Sequence, residues 1–554
     1  MRQTSWQSIG QVQHISSITV KEAIPKAKRM EVQNMKITEM EYAATGAFSQ
    51  TIADYLGRSE QLRPFYNHFP SIEAFEAQLK EKRFSPEQRQ TLCQALQQQY
   101  TSVADIHPQV QQSLDLLQQP NTYTITTGHQ LNIFTGPLYF VYKIITAINM
   151  CRQLQQQYPD YNFVPVYWMA TEDHDFAEIN HFSLFGKTYT WETDQTGAVG
   201  RFTTDGLEKV LEVLPEAYPV FEEAYRNSKN LAAATRAITH ALFGEYGLVS
   251  IDGDDATLKK ALLPVVEKEL TEQLSNKLVE EASAQLEELG YKPQVYSREI
   301  NLFYLTDSLR ERIVEENGTY QVLNTEIRFT LEAIRQEAEE HPERFSPNVI
   351  LRPLYEELIL PNLAYIGGGA EVAYWFQLKK LFAAYEVAFP VLMLRNSALY
   401  ITQSNASRMH KLDLQPQDLF QDYQELKKQL SSQIHEEEIS LEAQRKAVAA
   451  AFAQVEQLAK EVDPTLVKAV GAEEQKALNA LQMLEKKISK ARDNKHEQTF
   501  KQLENLKEKL FPNGSLQERH DNLLTYKTNN PDFIQALVEA FDPFELKFTI
   551  LEEA

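Results

Sequence analysis

The residues best able to do chemistry gather in three stretches. The first is Thr126-Thr127-Gly128-His129-Gln130-Leu131-Asn132-Ile133-Phe134-Thr135-Gly136-Pro137. Gly128 and Gly136 would let backbone approach a ligand closely. A helix starting just after them would aim free N–H groups at an anion. His129 could donate to a phosphoryl or carboxyl oxygen, and its ordinary pKa lies near working pH. Gln130, Asn132 and Thr135 could add polar contacts. The spacing is neither a Walker A loop nor a dinucleotide fingerprint. A glycine turn carrying a structural histidine would read the same way.

The second stretch is Glu172-Asp173-His174-Asp175, with Asn180 shortly after. Three acids around an imidazole are costly to hold together unless they are solvated, protonated or bound to a cation. Such a set could bind an amine or take its proton. If the segment is helical, His174, Glu178 and His181 share one face and could bind a metal, whose identity the residues leave open. A solvated acidic loop is the plain alternative. The third stretch runs from Arg352-Pro353 to Asn362 and on to Tyr365-Ile366-Gly367-Gly368-Gly369-Ala370-Glu371. Arg352 could grip a carboxylate or phosphate with two parallel hydrogen bonds. Gly367 and Gly368 could admit a ligand beside Tyr365, and Glu371 could accept an ammonium. A tight loop with an ordinary ion pair fits equally. Lys487-Ile488-Ser489-Lys490 looks like a synthetase lysine loop, but Ile488 completes an apolar helix stripe, so it reads as helix face.

The elements that must position these groups follow from periodicity. Tyr123–Thr127, Phe163–Ala170, Leu248–Asp252 and Val391–Arg395 are short apolar or β-rich runs separated by helical patterns, and another apolar strand leads into the glycines at 367–369. That alternation predicts α/β architecture, with a Rossmann-like parallel-sheet core covered on both faces. Gly128 is expected in a loop after the first strand. A helix is expected from Pro137, with Leu138, Val141, Ile144, Ile145 and Ile148 on one face. Residues 35–118 read as a helical N-terminal region, 119–415 as the α/β core with connecting insertions, and 416–511 as an antiparallel coiled-coil hairpin turning at Asp463-Pro464. Residues 512–554 read as a segment packing on the core, with one helix and a closing β-rich stretch, ELKFTIL. Residues 1–34 lack periodic apolar spacing and read as a disordered extension.

Composition narrows the function. The 554 residues are 43% hydrophobic and 24% charged, enough apolar material for a large core. A net charge of −22 argues against nucleic acid or an anionic membrane as partner, while leaving room for a local basic pocket. No apolar run is long enough to span a bilayer, and no signal-peptide core is present. Two cysteines, Cys93 and Cys151, argue against a disulfide framework and fit a reducing, cytoplasmic setting.

The stretches TTGHQLNIFTGPLYFVYKI, PVYWMATEDHDFAEINH and SPNVILRPLYEELILPNLAYIGGGAEVAYW, in this order and followed by a coiled-coil region, resemble the BshC family, the cysteine-adding ligases of bacillithiol synthesis. The match runs from about residue 36 to the end. Gly369-Ala370 departs from the Gly-Pro-like pair expected before Glu371. The resemblance implies amide formation between the carboxylate of cysteine and the sugar amine of glucosaminyl-malate, a connecting domain, and homodimers formed through the coiled coil. By analogy with adenylate-forming synthetases, it implies ATP as activator, although their paired-histidine signature is absent. On this reading His129, Gln130 and Asn132 stabilise charge on the activated group. Asp173, His174 and Asp175 bind amines or serve as base, and Arg352 holds the malate carboxylates. Two other classes stay open: a metal-dependent amidohydrolase or deacetylase built on Glu172–Asp175, and a coiled-coil scaffold with an inactive nucleotide-binding fold.

Overall fold

The computed structural model describes residues 35–434 and 440–554; the extension expected over 1–34 falls outside them. Five strands lie parallel at the centre, in the order Val391–Leu394, Asn362–Gly367, Thr122–His129, Asn162–Met169, Val249–Asp252. Read from the Val249 edge, they run third, second, first, fourth and fifth in chain order, which is the doubly wound, Rossmann-like arrangement. The strands are buried on both faces, which is why they read as apolar runs rather than alternating ones. Thr122–His129 is the exception in residue type. Its Thr124 and Thr126 hydroxyls donate to Asn362 Oδ1 at 3.3 and 2.8 Å, and Thr127 donates to the Ile366 carbonyl at 2.9 Å. Threonine keeps the β-branched shape a strand favours while each buried hydroxyl finds an acceptor on the neighbouring strand.

Three local expectations are corrected. The first strand runs through Gly128 to His129, so Gly128 is strand and not loop. Cross-strand pairing with Trp168 and Met169 carries it on, and a Cβ at Gly128 would lie 3.3 Å from the Tyr365 hydroxyl. The helix Tyr139–Gln157 is buried around most of its circumference, not along one stripe. The C-terminal segment covers its outer side, where Asn149 donates to the carbonyls of Val538 and Phe541 at 2.8 Å each. Finally, Met35–Met40 is a strand, although the N-terminal region read as helices. It pairs antiparallel with Phe548–Glu553, which pairs parallel with Ala398–Ile401. A strand whose partner lies at the far end of the chain has no local period to betray it. The helices behind it match their start signals: Ser85 caps Pro86–Tyr100 in a reciprocal box with Gln88.

Residues 302–347 form a separate antiparallel sheet that brings Arg310 toward the core. The hairpin consists of Glu442–Val462 and Val467–Leu510. Its base is buried through Leu503, Leu506 and Leu510, which join Leu426 and Leu430 in the main apolar cluster. Farther out, Val455, Leu458, Val462, Met483, Leu484 and Ile488 are exposed, Leu458 by 62% and Val462 by 80%. Among the described residues no helix is long and apolar enough to cross a membrane.

Candidate functional site

A cavity of about 200 Å³ opens at the carboxyl ends of the Thr122–His129, Asn162–Met169 and Asn362–Gly367 strands, where the strand order reverses. Ligands of open α/β sheets bind at this switch point. Gly128, His129 and Gln130 reach it from Thr122–His129 and the residue after it, Trp168, Ala170 and Asp173 from Asn162–Met169 and the turn after it, and Tyr365 and Glu371 from Asn362–Gly367 and the helix after it. Arg352, Pro353 and Glu356 line it from the helix Arg352–Ile359, beside Tyr374 and Trp375.

His129 lies at the end of its strand, its ring 5.3 Å from those of Tyr139 and Phe140. Among the described residues its buried Nε2 has no hydrogen-bond partner. Burial, reinforced by the positive charges of Lys143 and Arg395, holds its pKa well below the usual histidine range. The ring is therefore neutral at physiological pH. This corrects the expectation of a histidine titrating near 7: the imidazole offers a fixed N–H or lone pair, not a charge. Lys143 donates to the Gly128 carbonyl at 2.8 Å and pairs with Glu371 at 2.6 Å. Glu371 also accepts from the Gly368 N–H at 2.7 Å and the Tyr365 hydroxyl at 3.2 Å. It is thus already neutralised, contrary to the ammonium-binding role expected of it. Gly367 and Gly368 do not line the cavity. A Cβ at Gly367 would lie 2.9 Å from that of Glu371, so this glycine serves the close packing of the following helix.

Asp173 accepts from Gln130 Nε2 at 3.2 Å. Burial pushes its carboxyl up, but Arg352, Arg310 and the hydrogen bonds outweigh it and leave the pKa below the ordinary value. Asp173 thus stands ionised in the cavity wall. Its sequence neighbours point elsewhere. Glu172 is buried and paired with Lys259. The His174 Nδ1 accepts from Arg310 at 2.7 Å, so the nitrogen a base would use is taken, and burial and Arg310 lower its pKa. Asp175 is exposed, and the Asn180 side chain meets the His181 ring at 3.0 Å on the surface. Only Asp173 of this stretch keeps its expected place. The helix after it spans just Phe176–Ile179, with strand from His181, so His174, Glu178 and His181 share no face. Among the described residues no group of three or more His, Cys, Asp or Glu could hold a metal ion.

Asn132, Thr135 and Gly136 also lie outside the cavity. Asn132 donates to the Glu178 carbonyl at 3.1 Å. Asn522 donates to the carbonyls of Phe134 and Gly136 at 2.7 and 2.6 Å, and the Leu138 N–H donates to the Asp521 carbonyl at 2.8 Å. The chain's own 521–522 segment thus packs against this helix start and takes the Leu138 N–H. At Gly136, φ is +58° and a Cβ would meet that of Asn132 at 2.6 Å, so no other residue fits the turn.

Lys143, Arg310 and Glu356 were missed. Lys143 stood out as a cation inside YFVYKIITAINM, and Glu356-Glu357 as acids inside LYEELIL. Arg310 carried no local signal, since a distant insertion delivers it. Its guanidinium lies 4.0 Å over the Phe303 ring, and burial with Arg352 nearby lowers its pKa to about 10.

A pH dependence follows from the acids at the neighbouring strand end. Burial, with Asp254 beside it, raises the Asp252 pKa to about 6. The folded state then holds a proton that the unfolded state has lost between pH about 4 and 6, so stability from this group falls as pH rises through that window. Asp252→Asn is expected to raise the unfolding free energy at pH 7.5 by on the order of 1–3 kcal/mol, with a higher melting temperature, and to lose that gain near pH 4. Scanning calorimetry at the two pH values checks it; a gain that persists unchanged at pH 4 would refute it.

Comparison with known proteins places this geometry in a family. Residues 35–396 match the model described as the N-terminal Rossmann-like domain of BshC, bacillithiol biosynthesis, and residues 398–553 match its C-terminal coiled-coil domain. A protein of Flavobacterium johnsoniae named "Putative cysteine ligase BshC" is 44% identical over 92% of this chain and 98% of its own. A Cytophaga hutchinsonii protein of the same name is 43% identical over 90% and 95%. One from Bacillus mycoides is 28% identical over 91% and 97%.

Proposed function

The chain belongs to the BshC family of bacillithiol biosynthesis, and on that premise we propose that it is a ligase adding cysteine to glucosaminyl-malate through an amide bond. The observation that carries the reading is the switch-point cavity, where Arg352 has no side-chain hydrogen bond or ion pair among the described residues and faces the ionised Asp173 and the neutral His129. A free cation there suits a substrate carboxylate. A neutral imidazole suits the oxyanion that forms when an amine attacks an acyl group. An ionised carboxylate suits the amine, which must lose a proton during attack.

A free carboxylate does not condense with an amine unless activated, and ATP is the proposed activator on chemical grounds. Residues 521–522 pack against the helix start expected to take its phosphates, so this reading rests on no phosphate site at that helix. The reaction is proposed to run in the cytoplasm; that Cys93 and Cys151 are both free thiols supports a reducing setting. The deciding experiment is a thiol profile of cells lacking the gene. Glucosaminyl-malate should accumulate and bacillithiol should be missing; an unchanged thiol pool would overturn the proposal.

The exposed stripe of the hairpin is proposed as a homodimer contact, because an apolar strip of this length invites a partner. Light scattering should give the parent twice the monomer mass. Leu458→Glu combined with Ile488→Glu should give a monomer with a melting temperature within a few degrees of the parent's. A parent that is already monomeric would sink the idea.

A further inference from the structure

Among the described residues, two charge-bearing side chains of the cavity wall, Arg352 and Glu356, make no side-chain hydrogen bond or ion pair, and they carry complementary chemistry. Arg352 and Glu356 lie one helical turn apart on Arg352–Ile359, and both line the cavity. Residues at this spacing stand on the same helix face. Glu356 is only 3% exposed, yet its Oε1 has no hydrogen-bond partner. The nearby cations are spoken for: Lys82 pairs with Glu357 at 2.5 Å, and Lys143 pairs with Glu371 at 2.6 Å. Arg352 itself makes no ion pair with Glu356 among the described residues. A buried, unpartnered carboxyl beside a free guanidinium is expensive unless a ligand completes both.

We propose that Arg352 and Glu356 form the receptor for an α-amino-acid zwitterion, with Arg352 on the α-carboxylate and Glu356 on the α-ammonium. The inference rests on the ligase reading and deepens it: the amino acid is the cysteine, and it occupies Arg352 in place of the malate. The rest of the wall fits that choice. Trp168, Tyr365, Tyr374 and Trp375 present rings to a cavity of about 200 Å³, room for a small amino acid. A polarizable sulfur gains from such rings. Burial, with Glu357 beside it, holds the Glu356 carboxyl well above the usual range, which favours the neutral acid where no ammonium faces it. Glu357 and Glu371 press in that direction, while Lys82 and Arg352 oppose it. An arriving ammonium favours the carboxylate and should drive the proton off, so binding releases a proton and tightens as pH rises.

Titration calorimetry on the full chain tests this with three probes: L-cysteine, 3-mercaptopropionate, which lacks the ammonium, and cysteamine, which lacks the carboxylate. Glu356→Gln keeps the side chain's volume and neutrality, and a melting curve verifies its fold. It should weaken L-cysteine and cysteamine about tenfold or more and leave 3-mercaptopropionate within about twofold of the parent. Arg352→Gln should weaken L-cysteine and 3-mercaptopropionate and spare cysteamine. Titrations in buffers of different ionisation heat should show proton release for the parent and none for Glu356→Gln. Equal weakening of all three probes, an unaltered L-cysteine affinity in Glu356→Gln, or no L-cysteine binding by the parent would overturn the proposal. The thiol profile of deletion cells judges the ligase reading separately.

Discussion

His129→Asn is expected to leave the melting temperature close to the parent's while restoring little or no bacillithiol to a deletion strain. The ring sits where the first strand ends in the cavity, with Nε2 buried and, among the described residues, unpartnered. A histidine kept for packing would have that nitrogen satisfied. One kept for chemistry holds it ready for charge that appears only during reaction. Loss of such a preorganised donor costs about 10²–10³ in rate, or roughly 2.7–4 kcal/mol. Because burial and two nearby cations hold the ring neutral, its contribution should not titrate between pH 6 and 8. The pH–rate profile in that window therefore belongs to other groups. Full thiol restoration by His129→Asn would remove it from the site, and a collapsed melting temperature would assign it to the core.

Glu518→Ala is expected to be among the most destabilising single changes, by about 3–5 kcal/mol. Glu518 accepts from Arg395 Nη2 at 2.6 Å and from the Ala398 N–H at 3.0 Å, and the two side chains are 4% and 0% exposed. The pair ties the C-terminal segment to the end of the parallel sheet. Without Glu518 the buried guanidinium loses its hydrogen-bonded counter-charge and keeps only the more distant Glu371, which costs far more than the pair contributes. Arg395→Met combined with Glu518→Leu should therefore recover most of the loss. Denaturant unfolding of the three variants checks both statements. A single-variant loss below about 1 kcal/mol would show that water reaches the pair.

The layout of the fold was legible where burial forces a local pattern. Apolar runs at Phe163–Ala170 and Val391–Leu394 sit in the sheet because both its faces are covered, which favours apolar residues along the whole run. The hairpin was legible because its two helices face each other along a repeating stripe. The site was partly legible: His129, Gln130, Asp173, Arg352 and Tyr365 all meet in the cavity. Glu172, His174, Asn132 and Gly136 did not join them. Adjacent residues of a turn point in different directions, and a run of polar letters does not say which one faces the ligand.

By itself the sequence determined that this is a Rossmann-like α/β chain with a helical hairpin, that it is acidic and poor in cysteine, and that its polar groups cluster at strand ends. These follow from period and composition, which are local properties. Only the tertiary structure decided which groups are spent and which are free. Glu371 is neutralised by Lys143, Glu172 by Lys259, and the Leu138 N–H at its helix start is taken by Asp521, each through a partner distant in sequence. Among the described residues the same packing leaves Arg352 and Glu356 without a side-chain hydrogen bond or ion pair. A charge acquires or loses function according to what stands within about 4 Å of it, and in this protein those neighbours come from parts of the chain that no local period connects.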